Sequence, residues 1–94
     1  MSLSAVRLGD ICSGHGCYPP RPNLTASNDV FINGLGAHRV GDSWQEHCCK
    51  SCHGGTTISG STDVFINGLP LARIGDQVDC GSVCLQGSTD VFSG

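Results

Sequence analysis

The sequence predicts an all-β fold, a small pseudo-threefold arrangement of β-hairpins closed into a ring, and three observations carry that reading. Residues 61–76 read STDVFINGLPLARIGD and residues 27–42 read SNDVFINGLGAHRVGD, so one pattern is written twice with Asp-Val-Phe-Ile-Asn-Gly-Leu, Arg and Gly-Asp in common. Its halves recur at opposite ends of the chain: Ser88-Thr89-Asp90-Val91-Phe92 carries the first half, and LSAVRLGD at residues 3–10 carries the second. Each complete copy centres on Asn-Gly, the strongest two-residue hairpin signal because both positions tolerate positive φ.

Taken in order, residues 3–10 alternate loosely and end in a Gly9-Asp10 turn, as a short strand would. This is the returning half of a hairpin whose outgoing half lies at 88–92, with Phe92 in the place of Phe31 and Phe65, and with Leu3 and Arg7 in those of Leu35/Leu69 and Arg39/Arg73. Residues 11–23, ICSGHGCYPPRPN, are rich in Gly, Pro and Ser and read as a loop. In the first complete hairpin Val30-Phe31-Ile32 runs out, Asn33-Gly34 turns, and residues 35–40 return, so that Ile32 faces Leu35 and Val30 faces Ala37. Residues 43–60, SWQEHCCKSCHGGTTISG, read as a second loop; after the hairpin at 61–76, residues 77–87 make a third. Each loop follows a Gly-Asp, at Asp10, Asp42 or Asp76, so the three loops gather at one end of the object. Pairing of the terminal strands removes the open edges that would otherwise invite aggregation.

At 94 residues the chain predicts one domain, 1–94, without an extension domain and with a thin core. Both hairpin faces are apolar, which suits ribbons wedged between neighbours. Val30, Ile32, Leu35, Val64, Ile66 and Leu69 therefore belong either to the core or to a base that docks a partner, and the sequence does not separate the two. A formal charge of −3 with five basic residues argues against a nucleic-acid surface. No apolar run approaches a membrane span, so no stable membrane insertion is expected, and the first residues lack the features of a signal peptide, which predicts synthesis in the cytoplasm.

Seven cysteines, an odd number, favour metal ligation over a disulfide framework, with spare thiols open to later oxidation. His15 and His47 each lie five residues beyond Asp10 and Asp42, and Cys80 lies four beyond Asp76, so the three occupy equivalent places in their loops. His53, backed by Gly54-Gly55, supplies the fourth ligand of a tetrahedral zinc site, closed and therefore structural. The rival is a four-thiolate site from Cys49, Cys52, Cys80 and Cys84. Cys12, Cys17 and Cys48 are then small apolar fillers or surface thiols. His38 is an ordinary strand histidine opposite Asp29, and Arg7, Arg39 and Arg73 pair with nearby aspartates. Trp44 and Tyr18 cover the metal ligands, and Asp29, Asp63 and Asp90 cap turns. Glu46 beside His47 lacks the spacing of a helix-borne His-Glu motif, and no Ser, His and Asp show a nucleophile context, so no enzyme is expected.

The repeated Val-Phe-Ile-Asn-Gly followed by Arg-Val/Ile-Gly-Asp, together with Pro70-Leu71-Ala72-Arg73, resembles the PAAR-repeat proteins over nearly the whole chain. Leu71 replaces the first motif alanine, and Gly36-Ala37-His38 replaces the first three motif positions in the other copy. The resemblance implies a conical β-structure with one zinc ion near its apex, bound by three His and one Cys. It also implies a flat base docked, one tip per trimer, on a trimeric β-helical spike: a VgrG protein in type VI secretion systems, or the central spike of phage tails. Such a bare spike tip leaves the cell with the injection machine or is built into the virion tail, and an effector cargo is a further partner. The alternatives are a free-standing zinc-binding adaptor and a secreted disulfide mini-protein.

Overall fold

A computed structural model describes residues 2–94. Its strands are short and its organisation is threefold. β1 (Leu3–Ser4) pairs antiparallel with β8 (Phe92–Ser93), β2 (Phe31–Ile32) with β3 (Leu35–Gly36), and β6 (Phe65–Ile66) with β7 (Leu69–Pro70). The two complete hairpins turn through Asn33-Gly34 and Asn67-Gly68, where Asn takes φ of 54° and Gly of 78° and 79°. That is the doubly left-handed turn matching the twist of flanking strands, and it sets Ile32 opposite Leu35 and Ile66 opposite Leu69. The third hairpin is split between the chain ends, and Ala5 N–H bonds the Val91 carbonyl across it at 3.0 Å.

The three returning strands meet around a common axis. Val6 N–H donates to the Ala72 carbonyl, Ala72 N–H to that of His38, and His38 N–H to that of Val6, at 3.0, 2.9 and 3.0 Å. Flanking these, Leu8 bonds Gly36, Val40 bonds Pro70 and Ile74 bonds Ser4 in the same cyclic sense. Side chains alternate about this ring. Ala5, Ala37 and Leu71 enter one buried cluster with Ile32, Val30, Val64 and Ile66; Val6 and Ala72 enter a second with Cys12, Trp44, Val78 and Cys84.

Charged groups tie each copy down. Arg7, Arg39 and Arg73 form forked ion pairs with Asp10, Asp42 and Asp76. The same aspartates accept the backbone N–H of those arginines at 2.7–2.8 Å. The turn between them needs a left-handed residue, and Gly9, Gly41 and Gly75 sit at φ of 88°, 92° and 94°. Burial opposes ionisation of Asp42, but the bonds from Arg39 and Thr25 outweigh it and hold the carboxyl below its usual range. The turn asparagines also latch neighbouring copies: the Asn67 side-chain carbonyl accepts from Ser27 and Arg39 while its amide donates to Asp29, and Asn33 does the same with Ser88, Arg7 and Asp90.

Three expectations are corrected. Residues 43–60 are not a loop, since β4 (Ser43–Cys48) and β5 (Cys52–Thr56) form the longest hairpin of the described residues. A bulge between Trp44 and His47 buries both on one side although they stand three apart, which breaks the alternation that marks a strand. Trp44 does not cover the histidine cluster: it is buried in the core, where its indole N–H donates to Thr57 Oγ1 at 2.9 Å. Finally, the caps before each outgoing strand are Ser27, Ser61 and Ser88, whose hydroxyls accept the N–H of Asp29 and Val30, Asp63 and Val64, and Asp90 and Val91.

His38 lies fully buried on the axis. Its Nδ1 is 2.9 Å from the Thr25 carbonyl and its Nε2 2.7 Å from Thr57 Oγ1, with the ring edge-on to Trp44. Burial lowers its pKa. The unfolded chain therefore binds this proton more readily, and the stability His38 contributes is complete above about pH 6.5 and is lost as pH falls below it. The stability advantage of the native sequence over His38→Gln should shrink between about pH 7.5 and about pH 5 in denaturant titrations. A gap independent of pH would show that His38 is as easily charged in the folded chain as in the unfolded one.

Candidate metal centre

The loops that leave the Gly-Asp turns converge beyond the second buried cluster. A turn closed by Tyr18 N–H bonding the His15 carbonyl at 2.8 Å presents His15. His47 and His53 are directly opposed across β4 and β5, so their imidazoles share a face. Cys80 follows Asp79 in the third loop and packs against the second cluster. The ligand atoms of His15, His47, His53 and Cys80 all lie within 4.8 Å of one another, and the three Nε2 atoms are 3.2, 3.0 and 2.7 Å apart.

This arrangement could hold a cation. The Pro19 carbonyl, 2.8 Å from His47 Nδ1, can only accept, so Nδ1 carries the proton and Nε2 turns a lone pair to the other two rings. Burial and the facing imidazoles of His47 and His15 lower the pKa of His53. Nitrogens tetrahedrally bound to one zinc ion stand about 3.3 Å apart, close to the spacing here. The cluster could hold a metal ion, and three imidazoles with one sulfur suit a borderline-soft one.

Tyr18 covers the cluster, with ring centroids 4.8, 5.0 and 4.5 Å from those of His15, His47 and His53. Arg21 supports it from the core side. It is buried, lies 5.5 Å over the Trp44 ring, donates from Nε to the Gln45 carbonyl at 2.6 Å, and directs its guanidinium to Cys12 Sγ at 3.1 Å and Cys80 Sγ at 3.6 Å. The sequence offers no signal for Arg21, which lies outside the repeats in a Pro-rich loop. Only the fold sets it against two sulfurs.

The remaining cysteines correct the sequence reading. Cys17 pairs with Cys49 and Cys48 with Cys52 as disulfides, so Cys17 and Cys48 are neither fillers nor free surface thiols, and the four-thiolate site loses Cys49 and Cys52. The four converging side chains and the two disulfides belong to one loop cluster. Cys12 and Cys84 are buried free thiols opposite one another in the second cluster. Burial pushes the Cys84 thiol up to about 12; at Cys12 burial acts likewise, but hydrogen bonds from Arg21 and from the Gly14 backbone outweigh it and lower the pKa.

Of the six apolar residues proposed for the core or the base, Val30, Ile32, Val64 and Ile66 pack with the first cluster, while Leu35 and Leu69 are each 40 % exposed. Phe31, Phe65 and Phe92 are more than half exposed.

A protein-family model, the PAAR motif, matches residues 13–86. The chain belongs to the PAAR motif family. The match takes in the second loop, nearly all of the first and third, and both complete hairpins, and the split third PAAR copy at 3–10 and 88–92 completes the ring outside it. PAAR proteins are structural spike-tip modules associated with contractile injection systems. No curated protein matches the chain.

Replacing Arg21 by Met removes a buried donor from the Gln45 carbonyl and from two sulfurs of this PAAR domain. The loss should be roughly 2–4 kcal/mol of unfolding free energy, read from denaturant midpoints. A change below about 0.5 kcal/mol would mean that the guanidinium contributes only apolar packing.

Proposed function

We propose that this chain is the tip of a contractile injection machine, seated one per trimer on the blunt end of a trimeric β-helical spike of the VgrG or phage central-spike kind, with one structural zinc ion at its apex. The pseudo-threefold exposure of Phe31, Phe65 and Phe92, joined by Leu35 and Leu69, is the observation that carries the docking half. A trimer offers three equivalent strand ends, and this surface offers three equivalent aromatics around the axis of the backbone ring. Residues this apolar and this exposed are costly on a free surface and gain when covered. The strand-end face of a β-helix also carries unpaired backbone groups that a closed ring of hairpins can cap.

At the other pole, zinc would be held by His15, His47, His53 and Cys80. Bound there, it would supply the cross-link that a thin core does not. The tip would leave the cell with the machine.

Leu35→Glu or Leu69→Glu should abolish capture by a co-expressed trimeric spike while leaving a folded chain. Retained capture would move the docking surface elsewhere, and loss of folding would assign these leucines to the core. Elemental analysis should find one zinc per chain, lost in Cys80→Ser and His53→Ala and kept in Cys84→Ser. Zinc retained by Cys80→Ser would sink the ligand set.

A further inference from the structure

Every imidazole of the cluster stands beside a disulfide. His47 immediately precedes Cys48, His53 immediately follows Cys52, and His15 lies two residues before Cys17. The Cys48–Cys52 bond joins residues paired across β4 and β5, on the rung next to the paired His47 and His53. The Cys17–Cys49 bond ties the His15 loop to the tip of that hairpin across 32 residues of sequence. Cys80, the one member without a neighbouring disulfide, is the one held by Arg21.

Little else holds the hairpin tip itself. Residues 48–52 are all exposed, and the hairpin tip is tied by the Cys49 N–H to Ser51 carbonyl bond and by the Tyr18 and Ser51 hydroxyls at 3.2 Å. His15 and His53 are only half-buried. Segments with so few apolar contacts open locally at low cost, and each opening separates the imidazoles.

We propose that the two disulfides are positioning devices for the metal centre. They keep the three Nε2 atoms converged and so slow the escape of a bound ion. Cys48–Cys52 fixes the rung that carries His47 and His53; Cys17–Cys49 stops His15 from swinging away from them. Both act by removing open conformations, as cross-links do in general. The four disulfide cysteines, which bind no metal themselves, thus serve the metal, and the inference rests on the zinc reading given above.

The test follows zinc release from the loaded protein into excess chromophoric chelator. The paired variants C17S/C49S and C48S/C52S should each release zinc roughly 10–100-fold faster than the parent, the range seen when groups that orient metal ligands are removed. Lys50→Ala, in the same turn, should release it at the parent rate. Amide exchange at Val6, His38 and Ala72 should stay slow in both paired variants, which separates an opened apex from a lost fold. Should a variant fail to fold, the folded zinc-loaded parent treated with a phosphine gives the same comparison. Each S–S bond then takes two electrons from the phosphine and two protons from water, whose oxygen ends on the phosphine oxide. Stoichiometric zinc with release unchanged within about twofold overturns the positioning role alone. A parent that takes up no zinc overturns the metal reading and this inference together.

Discussion

Three backbone hydrogen bonds hold the molecule to its shape: Val6 to Ala72, Ala72 to His38, and His38 back to Val6. A buried N–H or carbonyl without a partner costs more than a hydrogen bond gains, so three strands brought to one axis must find partners there. With three strands the pairing closes on itself, and no free edge is left at the centre. The ring also divides the side chains. Because successive residues point to opposite sides, Ala5, Ala37 and Leu71 face the hairpin turns while Val6, His38 and Ala72 face the loops. Two small buried clusters result where one larger core would otherwise be expected.

Around the ring, polar groups do work that larger domains leave to apolar packing. The forked arginine–aspartate pairs are largely shielded, each closing the turn that starts a loop. Asn33 and Asn67 combine a backbone conformation that few residues accept with side-chain bonds to the next copy. Hairpin turn and inter-repeat latch are therefore one residue.

The loop end follows a different logic. Its outer part, residues 48–52, is exposed, and order there comes from two disulfides beside four side chains whose ligand atoms converge. Arg21 links this end to the core by touching Trp44, Cys12 and Cys80 at once. The molecule is thus divided into a polar, cross-linked loop end and an opposite end that exposes three equivalent aromatics.

Repeats made the ring legible. Two full copies with Asn-Gly turns and two half copies at the ends determine the hairpins, their register and the closure of the chain, because register follows from a two-residue turn once the turn is known. The offsets after each Gly-Asp likewise single out the residues that the fold gathers, His15, His47 and Cys80, with His53 turned back by the glycines behind it. What only the tertiary structure decided lies where local pattern carries no information. The β4–β5 hairpin was hidden because its bulge breaks the period of two; the disulfide partners were hidden because Cys17 and Cys49 are brought together only by folding of separate loops. Likewise, Ile32 and Leu35 read alike as apolar strand residues, and burial of one and exposure of the other depends on neighbouring copies that sequence does not position. The sequence by itself thus determined the threefold frame, since repetition encodes symmetry directly, whereas the contacts between its loops were left to the packing of the folded chain.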